Sequence, residues 1–318
     1  MDYSNVRGFN YQPSYSSCNY DAWKNFDAKT IELELRRGKQ YFPKMNTVRI
    51  WLSFDAYHFN EEAFLKNFEE YLRIIDMLGM KALPCLLNRC HSDNQDLGGE
   101  YIETIYGTRT PSRANMHEEY VKRIIEEHKN DERILIWDLC NEPFFYNLDE
   151  FGMTMLPIEL KWLKGLFAAA KSAKPIQPVS MSMHQSHGAK FFDNIDEMCE
   201  VYLIHPYFGN GRFAEREPYI NDIKTYMEKA ASKGKECLVT ETVWGATDDD
   251  KHVDLMRTTF EVLNELNLGY IVHVLHNSEN VDMHQANEGP IGTPEYMAFI
   301  NKDGSLRKGH DLFNKYCK

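Results

Sequence analysis

The sequence has no long hydrophobic run, no excess of basic charge and no glycine-rich phosphate-binding turn, and each absence removes a class of function. Its longest apolar stretches, such as Leu83-Pro84-Cys85-Leu86-Leu87, fall far short of the roughly 20 residues a helix needs to cross a bilayer, so no membrane partner is expected. Lys and Arg number 36 against 48 Asp and Glu, a formal net charge of −12 that repels nucleic acid. Gln12-Pro13-Ser14 follows the first strand-like run where a dinucleotide-binding sheet would carry its glycines, which disfavours a doubly wound fold. The 7 cysteines are an odd number, and Cys85, Cys140, Cys199 and Cys237 lie in or beside apolar runs, where thiols act as small buried hydrophobes. With Met1–Arg7 lacking an apolar core behind a basic end, a cytoplasmic protein is expected, or a secreted or periplasmic one had a signal been removed.

What is present is an ordinary globular composition, 43% hydrophobic and 26% charged over 318 residues. Eight strand-like runs recur: 6–10, 47–54, 80–88, 134–141, 178–184, 198–206, 236–241 and 269–276. Several are continuously apolar, as strands covered on both faces of a parallel sheet require. Helical spacing lies between them, most plainly from Asn60, where Phe64, Leu65, Phe68, Leu72, Ile75 and Leu78 share a face and Gly79 ends the helix. Residues 116–128, 158–174, 217–233 and 249–267 repeat the pattern. Alternation of this kind predicts the α/β class and a (β/α)8 TIM barrel, residues 1–318 forming one domain with its active site at the C-terminal ends of the strands.

Two of those ends carry glutamates: Glu142 closes Ile134–Asn141, and Glu241 closes the run from Glu236. A carboxylate left unpaired at the end of a buried strand costs several kcal/mol, so two such acids point to use. Facing carboxylates suggest cleavage of a glycosidic bond. Pro143 is expected to hold Glu142 extended. Division of labour requires one carboxyl in an apolar or like-charged setting and the other beside cationic donors.

Arg49 in Val48-Arg49-Ile50-Trp51, Asn141-Glu142-Pro143, His205-Pro206-Tyr207 and Thr240-Glu241 fall in order on strands two, four, six and seven. In these pieces the chain resembles the retaining glycoside hydrolases of clan A, and family 5 in particular. The resemblance implies that Glu142 is the acid and then the base, that Glu241 is the nucleophile, that Asn141 bonds the sugar 2-hydroxyl, and that Arg49 and Tyr207 hold Glu241 ionised. It implies a carbohydrate substrate and no cofactor or metal. Where family 5 relatives end strand eight with a tryptophan, this chain has His273 to His276, and His276 is the expected substitute platform.

Trp244, Trp51, Tyr207 and Tyr11 offer flat faces to a sugar, Trp51 reading equally as core, whereas Trp137 and Trp162 read as packing. His184 and His205 at strand ends could bond sugar or carboxylate, and Asn88, Arg89, Asn10, Gln12 and Asp55 are plausible hydroxyl ligands. Cys90-His91 reads as a solvated loop pair. Long connections at 89–115 and 277–293 would wall off one end of a groove, which favours exo action or trimming of short oligosaccharides over endo-glucanase, mannanase or xylanase action. Two rivals stand: a metal-dependent barrel hydrolase using His184, His187, His205, His273 and His276, and a sugar-binding barrel without catalysis.

Overall fold

The computed structural model describes residues 2–90, 99–146, 148–210, 213–279 and 296–317. Eight parallel strands close a barrel in sequence order: β1 Arg7–Tyr11, β2 Thr47–Trp51, β3 Lys81–Cys85, β4 Trp137–Asn141, β5 Val179–His184, β6 Tyr202–His205, β7 Cys237–Val239 and β8 Tyr270–Val272. Closure runs through Arg7 against Tyr270, and Gly8 lies opposite Thr47 so closely that a Cβ would stand 2.5 Å from the Thr47 carbonyl oxygen. The expected fold is the observed one.

Strand pleating sends alternate residues inward. At the N-terminal end the barrel interior is apolar, filled by Leu83, Ile136, Leu203, Leu238 and Ile271. One or two residues further along each strand the buried residues turn polar, with Asn10, Arg49, Asp138, Ser182, His205 and Thr240 at 0% exposure. Those polar residues interrupt otherwise hydrophobic strands at the same height, which places the site there.

The helices α1 (Asn19–Lys24), α2 (Ala28–Tyr41), α3 (Phe54–Phe59), α4 (Glu61–Met77), α5 (Arg113–His128), α6 (Glu150–Ser172), α7 (Arg216–Ser232) and α8 (Asp249–Glu265) surround the sheet. Helix α4 shows why such segments stop where they do. The Asn60 side chain caps its start by accepting from the Ala63 N–H, and Gly79, at φ 69°, lets Met80 N–H reach back to the Ile75 carbonyl. Helix α2 is poorly announced by apolar spacing, because its buried face includes Glu34 and Gly38 as well as Ile31 and Leu35. The fifth unit departs from strict alternation: short 3₁₀ turns at Gln185–His187, Ala189–Asn194 and Asp196–Met198 replace a helix. Among the described residues no helix is long and apolar enough to cross a membrane.

Behind β8, a bend at Asn301–Ser305 with Gly304 at φ 84° leads to Arg307 and a closing 3₁₀ helix, His310–Tyr316. Arg307 donates to Asp249 and to His252 Nδ1, which also lies 2.8 Å from His310 Nε2. Burial, reinforced by the Arg307 charge, lowers His310 to about 4, and burial lowers His252 as well. Between pH 6.5 and 4 the unfolded chain therefore binds a proton at His310 that the folded chain refuses, so stability falls on acidification through that window, by about 3 kcal/mol. Urea midpoints measured from pH 7 to pH 4 should show this slope, and His310→Gln should flatten it; an equal slope in the variant would contradict the assignment.

Candidate active site

Arg49 organises the upper barrel. From β2 its Nε and Nη2 donate to Asp138 Oδ2 at 3.1 and 2.8 Å, Nη2 donates also to Asn141 Oδ1 at 2.8 Å and Ser182 Oγ at 3.0 Å, and Nη1 donates to Asn10 Oδ1 at 2.8 Å and Glu241 Oε1 at 2.5 Å. Its guanidinium lies 4.5 Å from the centroid of the Trp51 ring. Glu241 receives a second donor from the Tyr207 hydroxyl at 2.8 Å on Oε2. One oxygen is thus held by a cation and the other by a phenol, charge-assisted bonds that fix the carboxyl group in place.

Glu142 sits opposite. Its Oε1 lies 2.6 Å from His205 Nδ1, and His205 Nε2 lies 3.0 Å from Thr240 Oγ1, one residue before Glu241. Single donor atoms of Glu142, His205 and Glu241 all fall within 4.8 Å of one another. Burial alone raises the Glu142 carboxyl, but the field of cationic His184 and the bond to His205 draw it down to about 2. Burial also lowers His184, which loses its charge, and with it that pull, as the pH rises toward neutrality. Arg49 thus serves two of the three buried carboxylates, Asp138 and Glu241, while the third, Glu142, is paired with the His205 ring at 2.6 Å.

The backbone at Glu142 is not extended as Pro143 led us to expect: φ is 46°, and Phe144 follows at φ 63°. Glu142 N–H donates to the Ser182 carbonyl at 2.8 Å, and Phe144 N–H donates to the Glu159 carboxylate at 3.0 Å, so neighbours over-determine the turn. Glu159, wholly buried on α6, also accepts from Arg89 Nε at 3.0 Å, while Arg89 N–H donates to the Asn141 carbonyl. In the segment after β7, Val243 has φ 74°, an outlier for a β-branched residue.

The remaining candidates divide by place. Asn88 accepts from Asn141 Nδ2 at 2.9 Å and so buttresses Asn141. Trp244 meets the Tyr207 ring edge-on at 5.5 Å and is half-buried. His184 is half-buried at the end of β5. Trp51, 3% exposed beneath Arg49, is a floor rather than an open face. Tyr11 is buried with its hydroxyl on Glu34, and Gln12 is 3% exposed. His276 is 1% exposed, accepting from Arg37 on Nε2 at 3.0 Å and bonding the Asn277 carbonyl through Nδ1 at 2.8 Å, so it presents no platform. Asp55 is exposed and pairs with Arg113 at the rim. Cys90, read as solvated, is instead 8% exposed and hydrogen-bonds Glu142; His91 lies outside the described residues. Of the five histidines of the metal reading, only His205 joins a cluster of potential metal donors among the described residues. Asp138, Ser182 and Glu159 were not singled out from the sequence, although an aspartate inside the apolar run of β4 was a visible signal.

No protein-family model and no curated protein matches the chain. Among solved structures it is similar to an exo-β-1,4-mannosidase from Opitutaceae bacterium strain TAV5, at TM-score 0.75 and 13% identity over 100% of this chain, which spans 61% of that protein's length. It is similar also to a variant of GH5_18 from Streptomyces cattleya in complex with Manβ1-4GlcNAc, at TM-score 0.74 and 11% identity over 97% of this chain and 80% of that one. A third likeness is to a glycoside hydrolase family 5 mannosidase from Rhizomucor miehei, at TM-score 0.65 and 13% identity over 98% and 92%. The chain therefore has the (β/α)8 barrel fold that these glycoside hydrolases share.

Proposed function

We propose that the chain is a retaining β-glycoside hydrolase, with Glu241 as nucleophile and Glu142 as acid and then base. The carrying observation is the proximity of the two carboxylates, with single oxygens within 4.8 Å of one another. Retaining enzymes keep the carboxyls about 5 to 5.5 Å apart, and inverting ones about 6.5 to 9.5 Å to admit a water. Arg49 and Tyr207 hold Glu241 for attack on the anomeric carbon. Glu142, aimed by its hydrogen bond to His205, protonates the departing oxygen; after glycosylation it takes a proton from water, which releases the sugar from Glu241. Asn141, oriented by Arg49 and Asn88, presents its amide toward a sugar 2-hydroxyl.

The named activities of the similar structures put β-mannosides first among substrates. Exo action is the reading that the length of the connections at 89–115 and 277–293 favours; residues 91–98 and 280–293 of these lie outside the described ones. A panel of 4-nitrophenyl β-glycosides, beginning with the mannoside, tests the reading; a 2-fluoro sugar should then label Glu241, and release of the inverted anomer would refute double displacement. Blocked-end oligosaccharides should resist cleavage if action is terminal.

A divalent cation at Glu142, His205 and Glu241 would compete with the Arg49 guanidinium and the Tyr207 hydroxyl already on Glu241, so chelators should leave activity unchanged. Glu142→Gln should still form the glycosyl-enzyme from a 2,4-dinitrophenyl glycoside, whose leaving group needs no acid, but hydrolyse it ~10²- to 10⁴-fold more slowly. A pre-steady-state burst followed by a slow phase checks this. The bell-shaped pH profile of the unsubstituted chain should lose, in Glu142→Gln, the limb that Glu142 sets, and an unchanged profile would count against the assignment.

A further inference from the structure

In double displacement the leaving group departs on the acid's side, so whatever recognises it lies just beyond Glu142. There the residues that follow Glu142 and those past the end of β5 bound a cavity of about 490 Å³ lined by Phe145, Tyr146, Leu148, His184, Ser186 and His187. The two walls are tied to the acid and to each other. Glu142 N–H donates to the Ser182 carbonyl, two residues before His184 on β5; His187 Nε2 lies 2.7 Å from the Phe144 carbonyl oxygen; and Phe145 meets the His184 ring edge-on at 5.2 Å. Phe144 and His187 both pack on Phe191, at 4.9 and 4.8 Å, which fixes the floor. The volume falls within the roughly 300 to 1,000 Å³ usual for small-molecule sites.

The lining decides what fits. Among the described residues no carboxylate, carboxamide, ammonium or guanidinium group lines the cavity; its polar groups are the Tyr146 and Ser186 hydroxyls and two imidazoles, of which His187 Nε2 is engaged by the Phe144 carbonyl and His184 Nδ1 by the Ser186 N–H, a sparse set for the ring hydroxyls of a second sugar. Phe145 and Leu148 are 39% and 42% exposed, and Phe151 and Met153, just beyond them at the start of α6, are 53% and 56% exposed. That much exposed apolar surface beside a catalytic acid is what an apolar ligand would cover.

Resting on the retaining-glycosidase reading, we propose that this cavity is the leaving-group subsite and that it takes an uncharged apolar aglycone, an aryl or arylalkyl group, in preference to a second sugar. Phe145 and Leu148 are its specificity-determining residues. His184 joins the apolar wall to the acid, so a bound ring places the glycosidic oxygen at Glu142.

Benzyl and methyl glycosides of the preferred glycone test this, because the two alcohols are nearly equal in basicity and differ in the ring alone. The benzyl glycoside should be turned over with kcat/KM ~30-fold above the methyl glycoside, the gain expected from burying one aromatic ring. In Phe145→Ala and in Leu148→Ala that ratio should fall to a few-fold. A ratio near one in the unsubstituted chain, a ratio undiminished in both variants, or a disaccharide preferred over the benzyl glycoside would overturn the subsite while leaving the glycosidase reading intact. The glycosyl fluoride, which has no aglycone, separates the two claims: failure to hydrolyse fluorides of any glycone would overturn the glycosidase reading and the subsite with it. Both positions are half-exposed, and thermal unfolding of each variant confirms that the ratio is read on folded protein.

Discussion

Glu241→Ala should lower kcat by ~10⁴-fold or more on every substrate, because no other anion among the described residues is placed to form the glycosyl-enzyme. The fold should survive, since Arg49 keeps Asp138, Asn10, Asn141 and Ser182 as acceptors when Glu241 is removed. Circular dichroism of the variant should match that of the unsubstituted chain. Azide supplies the decisive readout. A small anion entering the space left by Glu241 attacks from the nucleophile's side and yields the α-glycosyl azide, whereas Glu142→Ala with azide, acting on an already formed glycosyl-enzyme, yields the β-azide. The opposite pairing of variants and anomers would exchange the two roles, and no azide product from either would remove both carboxylates from the mechanism.

Arg49→Met should damage both stability and catalysis. Removal of the guanidinium leaves Asp138 and Glu241 as buried carboxylates without their cation, and breaking a buried pair in this way costs about 3 to 5 kcal/mol. Glu241 also loses the donor that fixes its Oε1. The residual activity should therefore be small, ~10²-fold or more below that of the unsubstituted chain. Arg49→Lys should rescue little, because one ammonium cannot span Asp138 and Glu241 as the planar fork does. Denaturant unfolding gives the stability loss, and kcat/KM on an aryl glycoside gives the loss of activity. A stable variant with undiminished kcat/KM would show that Arg49 packs without serving Glu241.

Barrel topology was legible because strands buried on both faces read as apolar runs and because helices such as α4 carry caps and a clean apolar stripe. The fifth unit was not legible as an exception: Gln185–Met198 turns in 3₁₀ segments, whose short buried patches resemble fragments of a helix. Within the site, the strand-end residues Arg49, Asn141, His205, Tyr207 and Glu241 stood out from the sequence, and the structure brings them together with Glu142. Their supports did not. Asp138 and Ser182 lie inside strands where periodicity treats them as noise, and Glu159 reaches the site from mid-helix, a contact that exists only in three dimensions. His276 misled because position near a strand end says nothing about which way a ring turns, and this one turns to Arg37.

Phe144 and Val243, which flank the two carboxylates at positive φ, hold the chain in a conformation that glycine would adopt more cheaply. Both side chains are wholly buried in the core, so glycine would relieve that strain but forfeit more in packing and in chain entropy. Selection for heat resistance alone would thus keep the bulky residues, and with them the turns that aim Glu142 and Glu241, so endurance and turnover pull the same way at these two positions.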